Sequence, residues 1–188
     1  PLEFFFDFSS PYAYLASHRI EPLAERHGRA VRWRPMMLGP ALAATGSKPL
    51  VHLPLKGDYA RRDLPRAARF HGIPFQMPSR FPQVTLAAAR LFYWLEDEAP
   101  DRAVPFAQAV FEALFVDDQN TADRAVLGRL AIALDIDAAA ALDAIDQPDV
   151  KERLKAATTE AVERGVFGSP FIFVDGEPFW GADRLDQI

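Results

Sequence analysis

The sequence predicts an α/β fold in which a small β-sheet unit, built from the two ends of the chain, is interrupted by a long α-helical segment. The chain begins with an apolar, aromatic run of strand length from Leu2 to Phe6, and a helical pattern follows it. The middle of the chain has helical periodicity and no strand signal. Strand character returns only near the end, from Phe171 to Val174.

The first strand leads into a helix and then into a second strand. Ser10 suits the N-cap, and Pro11 suits the first helical position, because proline has the required φ and its missing N–H would have no partner there. Gly28 is expected to end this helix as the C′ residue. Ala30 to Met36 then alternates apolar and charged residues, as a half-buried strand does, and completes a β-α-β unit.

The helical segment is predicted to start with a loop from Gly39 to Pro54 that has short helical possibilities and is interrupted by glycine and proline. The helices predicted after it share helical periodicity and few breaking residues: Asp58 to Phe70, Val84 to Glu98, Pro105 to Phe115, Ala122 to Leu134, Ala138 to Ile145, and one from Pro148 or Asp149 to Arg164. Thr121 or Asn120 is the expected cap of the helix that starts at Ala122.

The end of the chain returns to the sheet. Asp175-Gly176 is a strong hairpin turn signal between Phe171 to Val174 and a partner strand, Glu177 to Trp180, and a last helix is expected from Gly181. This order of elements predicts a thioredoxin-like domain interrupted by an all-α-helical insertion. The thioredoxin-like domain would comprise residues 1–38 and 158–188, and the α-helical insertion domain residues 39–157.

Composition and charge exclude several classes of protein. A hydrophobic content of 49% over 188 residues is enough for a packed core. The formal net charge of −5 gives no support for a nucleic-acid partner, and no apolar run is long enough to span a bilayer. The start of the chain lacks the features of a secretion signal, so a cytoplasmic enzyme is expected. The four histidines lack metal-ligand spacing, so no metal site is expected.

The start of the first helix has chemical consequences. In a thioredoxin-like fold this position holds the first cysteine of a C-x-x-C motif, whose thiolate the helix N-terminus stabilises. Here the four positions are Ser10-Pro11-Tyr12-Ala13, and the chain contains no cysteine. Any thiolate at this site must therefore come from a ligand. On spacing alone, a plain capping role for Ser10 stays open and is the favoured alternative.

Four separated motifs match those of a known family: Phe6 to Tyr12, Lys56 to Leu64, Gly165 to Pro170 and Phe179 to Leu185. In these motifs the chain resembles the 2-hydroxychromene-2-carboxylate isomerases and their relatives, the kappa-class glutathione transferases, within the DsbA-like thioredoxin superfamily. The resemblance covers nearly the whole chain. It implies a glutathione-dependent cis-trans isomerase of aromatic degradation that acts as a homodimer on a small aromatic carboxylate.

The resemblance also implies the residues of the site. Ser10 would be the catalytic residue and would hydrogen-bond the sulfur of bound glutathione. Ser169-Pro170 would be a cis peptide whose backbone pairs with the cysteinyl unit of the ligand. Ser169 replaces a more usual apolar residue, which is expected to matter little because the backbone binds there. The other implied glutathione-binding residues are Lys56, Tyr59, Ala182 and Asp183, with Ser47 standing where kappa relatives have an asparagine.

The implied mechanism assigns activation of the glutathione thiolate to Ser10 and the first helix's N-terminus. The thiolate would add reversibly to the ring-opened substrate. Candidates to hold the substrate carboxylate are Lys48, Arg80 and the arginines between 61 and 69. The alternatives are a kappa-like glutathione transferase or peroxidase, and a catalytically silent thioredoxin-like binding module.

Two further residues have two possible roles each. Asp7 would either orient the serine loop or satisfy backbone donors, and the second role is favoured. Trp180 would either line the ligand site or pack in the core, and the sequence favours neither.

Overall fold

A computed structural model describes the whole chain, Pro1–Ile188, and contains one four-stranded sheet. Strands β1 Leu2–Phe6, β2 Val31–Pro35, β3 Phe171–Val174 and β4 Glu177–Trp180 lie in the order β2-β1-β3-β4. β1 pairs with β2 in parallel and with β3 antiparallel, and β3 pairs antiparallel with β4. The predicted α/β fold, with the two ends of the chain in one thioredoxin-like sheet, is confirmed.

Eight α-helices accompany the sheet: α1 Pro11–Arg26, α2 Leu38–Ala44, α3 Lys56–His71, α4 Leu86–Glu98, α5 Pro100–Phe115, α6 Arg124–Ala133, α7 Ala138–Ala144 and α8 Pro148–Glu163. Two short 3-10 helices, Leu50–His52 and Ala182–Gln187, complete the structure. The loop predicted from Gly39 therefore contains α2 and a 3-10 helix, and the last predicted helix is a 3-10 helix.

Helix α1 starts and ends where the sequence predicts. Ser10 is the N-cap in extended conformation, and its Oγ accepts a hydrogen bond from the Ala13 N–H at 3.1 Å. Pro11 is the first helical residue, and Gly28 follows the helix with a φ of 64°. The capping role of Ser10 is thus confirmed, and it fixes the position of the Ser10 hydroxyl at the end of β1.

Two helix starts in the insertion differ from the prediction. Helix α5 begins at Pro100 rather than Pro105, because the additional turn buries Ala103 and offsets the hydrogen bond lost at the internal proline. Helix α6 is capped by Asp123, whose carboxylate accepts from the Ala125 N–H, and not by Asn120 or Thr121. Thr121 instead donates its N–H and hydroxyl to the side-chain oxygen of Gln83.

One face of the sheet packs with the helices in the main hydrophobic core, and Phe5 on the other face belongs to a smaller buried cluster. Phe6 of β1 packs edge-on against Trp33 of β2 and against Phe92 of α4, and it also contacts Phe111 of α5. These aromatic rings belong to a single buried cluster that includes residues of α1, α4, α5 and α8. The predicted division between residues 1–38 with 158–188 and residues 39–157 stays a prediction, and α8 runs without a break through its second boundary.

The other face of β1 carries an ion cluster. The Glu3 carboxylate accepts hydrogen bonds from Arg164 at 2.6 Å and from Arg34 at 2.8 Å. Both guanidinium groups also lie over the Phe5 ring, about 5 Å from its centroid. The hydrogen bond from Arg164 is the largest cause that lowers the pKa of Glu3, to about 2.

This cluster predicts how stability depends on pH. Because the pKa of Glu3 falls from 4.5 to about 2 on folding, its ion pairs stabilise the protein above pH 4.5 and lose their effect as the pH drops toward 2. Glu3→Gln is therefore expected to lower the free energy of unfolding near neutral pH, by an amount that shrinks steadily in acid. Urea denaturation across this range tests it, and a pH-independent difference would contradict it.

The start of α3 is held against the preceding 3-10 helix at Gly57. A Cβ atom at Gly57 would lie 2.7 Å from the main-chain oxygen of Val51, which is closer than real Cβ contacts come. This close contact between Gly57 and Val51 requires glycine. It holds the first turn of α3, which includes Lys56 and Tyr59, against the 3-10 helix.

Gly57→Ala is therefore expected to destabilise the protein by about 1 to 3 kcal/mol, because the added methyl group forces the backbone apart. Gly39 in α2 is the matched control, since nothing lies within 4 Å of its Cβ position. There the same change is expected to stabilise by up to about 1 kcal/mol, the usual helical preference for alanine. Thermal or urea unfolding of both variants measures this difference in sign, and equal effects would refute it.

Candidate active site

The candidate site lies where the start of α1 meets the loop before β3. The Ser10 hydroxyl donates a hydrogen bond to the Ser169 carbonyl oxygen at 2.8 Å, and Ser10 is 6% exposed. The Ser169–Pro170 peptide bond is cis. The Ser169 side chain is not passive: its Oγ accepts from the Asp7 N–H at 2.9 Å, a contact that an apolar residue could not make. The expectation that the replacement matters little for ligand binding stays a prediction, and the side chain has a structural contact that the sequence did not indicate.

Two main-chain N–H groups beside this contact have no hydrogen-bond partner, those of Tyr12 and Ser169. Pro11 has no N–H, and the Ala13 N–H is occupied by Ser10 Oγ. Tyr12 therefore contributes the free donor in the first turn of α1, where the helix dipole is positive. The arrangement offers a hydroxyl and two N–H groups to an anionic or peptide-like ligand.

Trp180 lies on the edge strand β4 and packs over the loop that leads to Ser169. A Cβ atom at Gly168 would lie 2.3 Å from the indole Nε1, so glycine is required beneath the ring. The indole also contacts Phe167 edge-on, with centroids 5.0 Å apart. Trp180 is 55% exposed, so it is a surface wall beside the site and not a core residue.

Helix α3 is tied to α1 beside the site. The Tyr12 hydroxyl donates to Asp63 Oδ2 at 2.9 Å, and Asp63 Oδ1 pairs with Arg66 at 2.7 Å. The exposed Tyr59 hydroxyl lies 3.4 Å from the same oxygen of Asp63. Burial is the largest cause that raises the pKa of Tyr12 above its ordinary value, and the hydrogen bond to Asp63 is the next.

The last predicted site segment, Ala182-Asp183, docks onto α1. The Ala182 carbonyl oxygen accepts from Arg19 at 3.0 Å, and Asp183 pairs with Arg184 at 2.7 Å. The Asp183 charge is also among the causes that raise the pKa of Tyr12. Gly181 has a φ of 106°. A Cβ atom added to Gly181 would lie 2.5 Å from Oδ1 of Asp183.

Ser47 and Lys56 are not joined to this group. Ser47 is exposed and its Oγ has one long contact, 3.5 Å to the Lys48 carbonyl oxygen. Lys56 is the exposed first residue of α3, and no hydrogen bond or ion pair connects its side chain to Ser10 or Ser169. Their roles in binding stay predictions.

The sequence interpretation named Asp63 only within a motif and Arg66 only among the candidate arginines, and it did not anticipate their contacts with Tyr12 and Tyr59. Their spacing from Tyr59 was a usable signal, because residues three and four apart lie on one face of a helix. Tyr12 was quoted within the Ser-Pro-Tyr motif, yet nothing in the sequence pointed to its contact with Asp63, 51 residues further on.

Asp7 has both roles that the sequence left open. Its carboxylate, 4% exposed, accepts on Oδ1 from the Ser9 N–H, the Ser9 hydroxyl and the Thr85 hydroxyl, at 2.8 to 2.9 Å. Oδ2 accepts from the Leu38 N–H at 2.7 Å. It satisfies backbone donors, as favoured, and the two bonds from Ser9 also hold the serine loop.

Two cavities of about 180 Å³ lie away from this group of residues. One is lined by Ser17, His18, Gln108 and Glu112, between α1 and α5. The other lies over β2, α4 and α8 among the side chains of Arg34, Tyr93 and Arg153, which already pair with protein groups. We place the site by the chemistry at Ser10 and not by cavity size.

Comparison with known proteins agrees with this fold. The family described as the DSBA-like thioredoxin domain matches residues 1–188. A solved structure of 2-hydroxychromene-2-carboxylate isomerase superposes with a TM-score of 0.89 at 30% identity, covering 99% of this chain and 91% of that one. The cytosolic disulfide reductase DsbM from Pseudomonas aeruginosa, solved with GSH, shares the fold at 19% identity, with a TM-score of 0.68 and coverage of 99% and 92%.

The curated relatives point the same way. The 2-hydroxychromene-2-carboxylate isomerases of Sphingobium xenophagum and Pseudomonas putida are each 31% identical over all of this chain and over 95% and 91% of their own. Glutathione S-transferase kappa 1 of Rattus norvegicus is 24% identical over all of this chain and 88% of its own.

The fold and the family match define a DsbA-like thioredoxin-fold protein. The full-length identity places it more closely: the chain belongs to the 2-hydroxychromene-2-carboxylate isomerase family and is an enzyme of the isomerase class. The resemblance inferred from the motifs is confirmed. None of the helices has both the length and the apolar character that crossing a membrane requires.

The Tyr12–Asp63 contact predicts a measurable coupling between α1 and α3. Tyr12→Phe removes a half-buried donor to a carboxylate, and the expected loss is about 1 to 2 kcal/mol of unfolding free energy. A double-mutant cycle with Asp63→Ala should recover most of that as coupling energy. Tyr59→Phe is the control: its contact is longer and exposed, so about 0.5 kcal/mol or less is expected. Additive effects of Tyr12→Phe and Asp63→Ala would refute the coupling.

Proposed function

We propose that this chain is a glutathione-dependent cis-trans isomerase of the 2-hydroxychromene-2-carboxylate type, with Ser10 as its catalytic residue. One observation carries the proposal. In a chain without cysteine, the Ser10 hydroxyl stands at the N-terminus of α1, 2.8 Å from the Ser169 carbonyl oxygen. A thioredoxin-like fold has its reactive sulfur at this position. A ligand thiol would supply that sulfur here.

The residues present fit glutathione. Ser169 has a free N–H beside a carbonyl oxygen that now accepts from Ser10, which is the donor and acceptor pair that an extended cysteinyl unit requires. The free N–H of Tyr12 and the helix dipole favour a negative sulfur at Ser10. When bound, glutathione supplies a thiolate that adds reversibly to the conjugated, ring-opened substrate and is returned unchanged.

The chain's own contribution is to hold the sulfur ionised and in place. The Ser10 hydroxyl carries one proton, which points at the Ser169 carbonyl oxygen in the structure. We propose that this proton turns to the ligand sulfur on binding, while Ser10 Oγ continues to accept from the Ala13 N–H. Rotation of the hydroxyl also leaves the Ser169 carbonyl oxygen free to accept a hydrogen bond from an N–H group of the ligand. Binding of the ligand sulfur at Ser10 and binding of the ligand backbone at Ser169 therefore favour each other.

The remaining predicted residues would hold the rest of glutathione. Asp183 would accept from the ammonium group of the γ-glutamyl end, beside Ala182, and Lys56 and Tyr59 would approach from α3. Ser47 would contact the ligand only if its loop moves toward the site, because its side chain now meets only Lys48. Lys48, Arg80 and the arginines of α3 are the proposed partners of the substrate carboxylate.

A second candidate is a kappa-like glutathione transferase or peroxidase. It is supported by the kappa relatives, such as the Rattus norvegicus protein, which align with the whole of this chain. It would use the same Ser10 and the same ligand, and it would differ only in whether glutathione is consumed. A catalytically silent binding module stays the third possibility from the sequence.

We also propose a homodimer in the cytoplasm, as the family resemblance implies. Analytical ultracentrifugation at several concentrations tests the first part, and a monomer throughout would refute it. Fractionation of the producing cells tests the second.

Measuring both the product and the free thiol of glutathione distinguishes the three candidate functions. With 2-hydroxychromene-2-carboxylate as the only substrate, isomerisation should give product while total free thiol stays constant. In separate reactions supplied with an electrophile or a peroxide, conjugation or peroxide reduction should lower the free thiol. A silent module gives neither product nor thiol loss. Thiol loss that matches product formation would contradict isomerisation.

Ser10→Ala is expected to lower kcat by about 10²-fold, because one preorganised donor to the reacting sulfur is removed. The dissociation constant of glutathione should change far less, since the backbone of Ser169 and the residues near Asp183 would still bind. The variant also loses a helix cap, with an expected cost of about 1 kcal/mol in stability. Asp137→Ala, which removes the cap of α7, is the matched control and should keep full turnover. Unchanged turnover in Ser10→Ala would overturn the mechanism.

A further inference from the structure

The buried carboxylate of Asp7 joins the starts of three helices. Ser9, which gives it two hydrogen bonds, directly precedes the N-cap of α1. Leu38 is the first residue of α2, whose N-cap provides no side-chain hydrogen bond. Thr85 is the N-cap of α4. One carboxylate therefore accepts the first N–H of α2 and fixes three segments relative to one another.

The main chain of Asp7 reaches both sides of the candidate site. Its carbonyl oxygen accepts from the Ser10 N–H at 2.9 Å. Its own N–H donates to Ser169 Oγ at 2.9 Å. Asp7 thus contacts the residue that donates and the residue that accepts in the Ser10–Ser169 hydrogen bond.

Only a carboxylate satisfies this arrangement. Oδ1 faces the Ser9 N–H and Oδ2 faces the Leu38 N–H, and a main-chain N–H cannot turn round to accept. An asparagine would have to point its NH₂ group at one of these donors in either orientation. The hydroxyls of Ser9 and Thr85 could adapt to an amide, but the two main-chain groups could not.

We propose that Asp7 is a positioning residue for catalysis, which holds the Ser10 hydroxyl and the Ser169 backbone at the separation that the thiolate of a bound ligand needs. The inference rests on the proposed function. Asp7 acts through Ser9, Ser10 and Ser169 and does not itself touch the ligand. Loss of its charge releases the serine loop and the loop before β3 together.

The test compares Asp7→Asn with the unchanged protein, each saturated with glutathione. The absorbance of the bound thiolate is titrated against pH, and kcat is measured with 2-hydroxychromene-2-carboxylate. Asp7→Asn is expected to move the pKa of the bound thiol up toward that of free glutathione and to lower kcat by about 10²-fold, the cost of small misplacement at a reacting centre. The KM for glutathione should change little.

Thr85→Val serves as a second variant in case Asp7→Asn does not fold. It removes a single hydroxyl donor to Oδ1 with little change of shape, so a smaller shift in the same direction is expected. Asp137→Ala is the control for loss of a capping carboxylate far from the site. It should lower the melting temperature and leave both the thiol titration and kcat unchanged.

The outcomes separate the two proposals. If the unchanged protein binds no glutathione, or if its bound thiol titrates like the free one, the proposed function fails and the role of Asp7 fails with it. If the unchanged protein holds a thiolate and the folded variants hold it equally well, only the positioning role is overturned, and Asp7 is purely structural. A raised thiol pKa with retained binding supports the positioning role.

Discussion

A buried carboxylate that accepts four hydrogen bonds is the constraint on which this structure depends. Burying an ionised group is costly unless donors replace its water, and Asp7 has four, two of them main-chain N–H groups that no rotation can redirect. These donors come from the end of β1, the first residue of α2 and the cap of α4. A shift in any of these segments would leave the buried charge without one of its donors. The carboxylate therefore fixes the position of the sheet relative to α2 and α4.

Under the proposed function, the same constraint explains how this fold can use a hydroxyl where thioredoxin-like oxidoreductases have a cysteine. A cysteine at the start of the helix brings its own nucleophile, and the helix dipole suffices to ionise it. Under the proposed function Ser10 supplies no sulfur and acts as a hydrogen-bond donor to the ligand sulfur, so its orientation relative to Ser169 has to be set in advance. Asp7 and Ser169 share that task through the contact between the Asp7 N–H and Ser169 Oγ.

The sequence was sufficient for the elements whose signals are local. β1, α1 and the hairpin at Asp175-Gly176 follow from aromatic runs, a serine-proline start and a turn dipeptide, and each lies where predicted. Signals that depend on distant partners were not accessible. Thr85 hydrogen-bonds Asp7, which lies 78 residues earlier in the chain. Thr121 has the residue type of a helix cap, but its hydroxyl hydrogen-bonds Gln83 instead. The start of α5 was misplaced because Pro100 and Pro105 both satisfy the local rule for a first helical residue.

Helix α8 has a consequence for how such enzymes can be recombined. It runs unbroken from Pro148 to Glu163, and near its end Glu160 pairs with Arg34 of β2. The segment inserted into the sheet domain therefore has no clean second junction. A chimaera that exchanged this segment between two relatives would have to carry the whole helix, with its ion pair to the host sheet, as part of the graft.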